Sequence, residues 1–183
     1  MQRRRTGTSR LRQEQKSTMA QVTSFEELSL EGLRDIYDAE QKALNAYPEM
    51  INAASSPDLK AAFEMHRGQT EQQITRLEQI FQKMNAEPQG KECKAADGLL
   101  AEAREKIQQV EHGPLLDAAL IAAAQKVEHY EISAYGTART LAQRMGDDEA
   151  AQLLQATLEE EELTDKKLTS IAESNVNQQA ASQ

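Results

Sequence analysis

A chain of 183 residues is long enough for one domain with a sizeable core and too short for two ordinary domains joined by a linker. Aromatics reach only 4%, which argues against an all-β sandwich, and eight Gly with four Pro supply few turns, so long helices are the natural reading. The net charge of -9 combines a +5 segment, six basic side chains against one acid in residues 1–20, with a -14 body of 15 basic and 29 acidic residues that lacks the basic footprint nucleic acid requires.

In chain order, residues 1–23 carry Arg3, Arg4, Arg5, Arg10, Arg12 and Lys16 without apolar periodicity and read as a disordered basic tail. It is either an inert leader upstream of a start at Met19 or an electrostatic arm for an anionic polymer or a partner's acidic body. No signal-peptide pattern follows the N-terminus and no apolar run reaches the ~18 residues of a membrane span, so a soluble cytoplasmic protein is expected.

Ser24 and Glu27 have capping-box spacing, and Leu30, Leu33, Tyr37, Leu44, Tyr47 and Ile51 then recur at helical steps. They predict a helix over 25–54 that Pro48 kinks rather than ends. Ser56 as N-cap and Pro57 at the first position open a second helix over 57–84, with Leu59, Phe63, Ile74, Leu77 and Phe81 on one stripe. Residues 85–94 read as a loop. They contain Cys93, whose solitude excludes a disulfide framework or a Cys-rich zinc site and which is taken as structural. A short helix over 95–110 ends at Glu111-His112-Gly113-Pro114. A long helix over 115–145 stops at Gly146, and Asp147 caps a last one over 148–173. Residues 174–183, rich in Gln and Asn, read as a flexible tail. The whole predicts an all-α antiparallel four-helix bundle over 24–173, with one long crossover that contains an additional short helix.

Most acids lie on solvent faces, where they need no explanation. Glu40, however, stands on the stripe Leu33, Tyr37, Glu40, Leu44, and His66 and Thr70 stand on that of Phe63, Ile74 and Leu77. The third long helix places Glu128 and Glu131 between Ala124 and Tyr135, and the fourth places Glu161 and Asp165 between Leu158 and Leu168. Counted from hairpin turns near 55 and 146, all of them fall in a slab roughly 12 Å thick, about 17 to 29 Å from the turns.

Five carboxylates in a dry core need protonation, basic partners or metal ions to be tolerated. Only Arg139 lies near the third helix's stripe. Two divalent cations with oxygen ligands and the imidazole of His66 satisfy the cluster best, and bundle cores are where such sites are built. His129 and His112 read as bystanders. Tyr37 and Tyr135, one turn from Glu40 and Glu131, and Thr70 beside His66 read as core groups placed to orient ligands by hydrogen bonds.

The segments LRDIYDAEQKAL, HRGQTEQQITRLEQIF, AAQKVEHYEISAYGTA and LLQATLEEEELTDKKLTSIA resemble, in matching order, the YciE/YciF-type ferritin-like proteins, a family once grouped only as a domain of unknown function. The resemblance spans about residues 24–173. It implies a rubrerythrin-like bundle with an added helix, a dimer, and a metal-binding bacterial protein linked to stress. By motif it carries the ligand roles to Glu40 in YDAEQ, His66 in HRGQT, Glu128 and Glu131 in EHYE, and Glu161 with Asp165 in EEEELTD. The chain departs from the wider ferritin-like pattern of Glu-x-x-His on two helices, because Phe63 stands three before His66 and the last helix offers Glu-x-x-x-Asp. Such a histidine-poor site opens the choice between iron and manganese.

Three functions are compatible with this sequence. The first is a di-metal centre reacting with hydrogen peroxide or oxygen in a catalase-like or peroxidase-like way, which leaves open whether the protein is an enzyme. The second is non-catalytic iron binding or storage, and the third is a metal-free dimeric stress protein acting through partners. The expected partners are a second copy and a small oxidant, with no membrane, and nucleic acid only through the basic tail.

Overall fold

Five helices of 16 residues or more build residues 21–182, the part that this computed structural model describes. Residues 1–20, and with them the charge expected of the basic tail, lie outside it. The helices are α1 (Phe25–Ala53), α2 (Pro57–Lys83), α3 (Lys94–Gln109), α4 (Pro114–Arg144) and α5 (Asp148–Ile171), and no strand occurs among the described residues. The all-α bundle and its crossover helix are as expected. So is the membrane reading in its plain form: among the described residues no helix is long and apolar enough to cross a bilayer.

Local chemistry sets the helix ends. The Glu27 amide donates to Ser24 Oγ (3.1 Å) and the Glu27 carboxylate accepts from the Ser24 amide (3.2 Å), which satisfies two otherwise orphaned donors of α1. Ser56 and Asp147 accept from the amides of Leu59 and Ala150 at the starts of α2 and α5. Gly146 sits at φ 75, where an L side chain is strained, and lets the Asp147 amide reach back to the Ala142 carbonyl. α1 runs through Pro48 without ending.

α1 packs on α2 and α4, and α5 packs on α4 and α2, so the four long helices close a ring, while α3 lies outside against α1 and α4. One apolar layer joins Leu33 and Ile36 of α1 to Leu77 and Phe81 of α2, Ala138 of α4 and Leu154 of α5. A second layer joins Tyr47 and Met50 to Leu59 and Phe63, Leu120 and Leu168. The start of α1 therefore shares an end of the bundle with the α4–α5 turn, and the α1–α2 turn lies at the other end. Asp117 of α4 fixes that second end by accepting from the Ser55 and Ser56 amides at 2.7 and 2.8 Å.

One expectation changes at the C-terminus. Where fraying is expected from 174, the chain passes through a π-helical turn, Ala172–Val176, into a short α6 (Asn177–Ala180). Burial of Val176 in the second apolar layer gives that extension its anchor.

Candidate metal centre

Between the two apolar layers lies a polar one. Glu40 of α1, His66, Thr70 and Gln73 of α2, Glu128 and Glu131 of α4, and Thr157, Glu161 and Thr164 of α5 are all buried there. Each reaches the interior because it occupies a seam position of its helix, one that would otherwise hold an apolar side chain.

Ligand-type atoms of His66, Glu128, Glu131 and Glu161 lie within 4.8 Å of one another. His66 Nε2 is 3.2 Å from both Glu128 Oε2 and Glu161 Oε2. The opposite ring nitrogen, Nδ1, is 3.1 Å from Thr164 Oγ1 and 3.1 Å from Gln69 Oε1, so the ring is oriented from behind. Tyr47 meets the ring edge-on, with centroids 5.8 Å apart. Glu40 stands beside this group and accepts a hydrogen bond from the Tyr135 hydroxyl at 2.5 Å. Of the groups expected to orient ligands, Tyr135 thus meets one. Tyr37 instead donates to Glu78 (3.0 Å), and Thr70 is buried one turn from His66.

Asp165 is not brought into the cluster. It is half-buried at the edge of α5, where its Oδ1 accepts from Gln125 Nε2 (2.9 Å) and lies 3.3 Å from His129 Nε2. On an α-helix the third and fourth residues after Glu161 fall on either side of its own direction. The inward seam runs through Thr157, Glu161, Thr164 and Leu168, so the third residue, Thr164, takes the inward place.

The sequence reading also misses Gln73, Glu160 and Arg76. Gln73 donates to Glu161 and, at 3.1 Å, to Glu160. Glu160 is held bidentately by Arg76, both contacts at 2.7 Å, and Arg76 also donates to Thr157. Spacing of three and four residues between Gln69, Gln73 and Arg76 is the signal that they share a face. Arg139, the basic residue expected near the layer, instead donates to Gln155.

Four carboxyls and one imidazole give the layer an excess of acid. Burial and then the charge of Glu161 push the Glu40 carboxyl up to about 8, against the pull of the Tyr135 hydroxyl. Burial lifts Glu161 to about 7 although His66 opposes it. Glu131 lies well above the carboxylate range, through burial and then the charges of Glu40, Glu161 and Glu128. Burial depresses His66, but Glu128 and Glu161 outweigh it and hold the ring well above its ordinary value.

Glu131 Oε1 is buried without a hydrogen-bond partner, and Glu128 Oε2 and Glu161 Oε2 are buried with only the His66 ring nitrogen, 3.2 Å away, beside them. An orphaned buried acceptor costs about 1–3 kcal/mol and more when charged. Here three such oxygens converge beside an imidazole, a donor set that suits divalent cations. The residues present fit such ions.

Comparison with known proteins agrees with this geometry at the level of fold and family. Residues 24–181 match DUF892, a domain of unknown function. The Escherichia coli K12 protein YciF is 44% identical over 160 residues, 87% of this chain and 96% of YciF. The crystal structure of YciF, described as a stress protein, matches with a TM-score of 0.82 at 44% identity, over 85% of this chain and 99% of that one. YcfI of Rhodopseudomonas palustris matches with a TM-score of 0.80 at 41% identity, over 83% and 97% of the two chains. A Xanthomonas campestris protein at 21% identity, with a TM-score of 0.69 over 84% and 94%, shares the fold.

Proposed function

The chain belongs to the DUF892 family, and from that premise we propose that its buried cluster holds two divalent cations, iron or manganese, and reacts with hydrogen peroxide or oxygen in the bacterial stress response. The observation that carries this reading is the convergence at mid-bundle of three buried carboxylate oxygens, from Glu128, Glu131 and Glu161, that have no donor but the His66 ring. Bound there, such ions supply one-electron exchange with a small oxidant. His66, Glu128, Glu131 and Glu161 would hold them, with Glu40 closing the α1 side. Thr164 and Gln69 fix the imidazole, Gln73 fixes Glu161, and the Tyr135 hydroxyl fixes Glu40. Tyr47, Phe63, Leu77 and Leu154 exclude water from above and below.

Elemental analysis of protein purified without chelators, paired with oxygen evolution from added hydrogen peroxide, tests the proposal. About two metals per chain and peroxide loss are expected; a metal-loaded protein that leaves peroxide untouched removes the redox reaction but not the site. The reading extends to a cytoplasmic homodimer, which should elute on size-exclusion chromatography at twice the chain mass.

A second reading has its own observation. His66 lies 3.2 Å from two carboxylates, and a charged ring there neutralises part of the acid without metal. In that case the protein is a metal-free scaffold acting through partners, and protein that stays metal-free after incubation with iron and with manganese identifies it.

A further inference from the structure

The polar layer is not sealed equally on all sides. The Glu40–Tyr135 pair is buried at both ends, and two hydrogen-bond paths leave the cluster toward half-buried groups. One, from His66 to Gln69, stays within α2, and only the second crosses the seam between α2 and α5. The other runs from Glu161 through Gln73 to Glu160 and then to Arg76, whose side chains are 21% and 20% exposed. Along this second path a carboxylate at the surface is followed by an amide and then by a carboxylate of the cluster. Gln73 is 1% exposed, and its carbonyl oxygen, Oε1, has no hydrogen-bond partner.

A hard divalent cation gives up its water only where protein oxygens replace it. Glu160 and Glu161 offer such oxygens from solvent inward, on either side of the Gln73 amide nitrogen that donates to both. Arg76 occupies both oxygens of Glu160, so the outermost step is closed by a counter-charge that an arriving cation must displace. We propose that the α2–α5 seam is the route by which divalent cations reach the buried cluster, with Glu160 as the receiving carboxylate and Arg76 as its latch. This rests on the reading that the cluster binds such ions.

Cobalt(II) is a suitable probe, since its visible absorption reports coordination without turnover. Metal-free full-length protein is mixed with cobalt in stopped flow, and affinity and stoichiometry are measured separately at equilibrium. Glu160→Gln should load about tenfold more slowly, the scale on which a carboxylate at a mouth speeds cation arrival, with the number of ions and the affinity unchanged. Arg76→Gln should load faster than the wild type. Asp35→Asn, an acid on the opposite α1–α4 side, should load at the wild-type rate. The double variant Glu160→Gln/Arg76→Gln leaves no unpaired charge in the seam and should still load slowly, which keeps the test valid if the single variant folds poorly. Loading of the double variant at the wild-type rate overturns the route. So does a Glu160→Gln protein whose rate and affinity fall by the same factor, because Glu160 then belongs to the site rather than to the path. A wild type that takes up no cobalt overturns the metal reading, and the route with it.

Discussion

Two clusters of acidic side chains lie on either side of α4, and they solve the same problem differently. Where α3 begins, Lys42 pairs with Asp38 (2.7 Å) and Asp97 (2.6 Å), Lys91 pairs with Glu31 (2.6 Å), and Tyr130 donates to Asp35 (2.7 Å). Cys93 completes that cluster: its amide donates to Asp38 and its thiol to Asp35, while its sulfur caps α3 at the Ala96 amide. In the mid-bundle layer the acids outnumber their donors, and three buried carboxylate oxygens have at most the His66 ring beside them. Acids matched with lysines hold an element in place. Acids gathered without enough donors are poised for a ligand that supplies positive charge, and the contrast separates a joint from a site within one chain.

The largest effect expected of this contrast is on metal uptake. Glu128→Ala should abolish it, whereas Asp38→Ala should keep about two ions per chain by elemental analysis; uptake lost equally in both would erase the distinction. Next is pH. Glu40 and Glu161 have folded-state values raised to about 8 and about 7 from an ordinary 4.5, so the metal-free protein binds protons that its unfolded chain releases. Its stability should therefore be full below about pH 4.5 and fall as pH rises through 7 and 8, by about 1 kcal/mol per unit for each proton held. Urea midpoints between pH 5 and 8 should decline without metal. Added manganese should reverse the trend, because ligands must be deprotonated to bind.

A smaller effect belongs to the joint. Asp35→Ala leaves the Tyr130 hydroxyl only the Cys93 sulfur, 3.1 Å away, and should cost about 1–3 kcal/mol in urea unfolding, with metal uptake intact. Smallest are the tyrosine hydroxyls, at about 1 kcal/mol each. Tyr130→Phe should lower stability alone, while Tyr135→Phe, which frees Glu40, should also change the cobalt spectrum of the loaded protein. Identical spectra for the two variants would mean that Glu40 does not touch the metal.

Much of this was legible in the sequence. Helix ends announced themselves through Ser24, Ser56, Pro57, Gly146 and Asp147, and the stripes located Glu40, His66, Glu128, Glu131 and Glu161. Counting residues from the turns put them in one layer for a reason that survives the actual topology. The two turns lie at opposite ends of the bundle, yet about 15 residues from either end is the middle of helices 24 to 31 residues long. The choice between Thr164 and Asp165 was not legible, because positions three and four apart flank the same direction and only the packing of α4 decides between them. Nor was the Arg76–Glu160 pair, which joins residues 84 apart that read separately as surface charges. Burial of Val176 escaped for a similar reason: its anchor is a layer formed by other helices.

The crossover has one further consequence. α2 ends at one pole of the bundle and α4 begins at the other, so the connection must travel the full height, and the 16 residues of α3 supply about 24 Å of that distance as a rigid strut. Its length has to match the register of α4 on α1, which Asp117 also holds through the Ser55 and Ser56 amides. Deleting one turn from α3 would draw α4 down by about 5 Å and carry Glu128 and Glu131 out of level with Glu40 and His66. α3 contributes no side chain to the mid-bundle layer, yet it is the gauge to which that layer's alignment is cut.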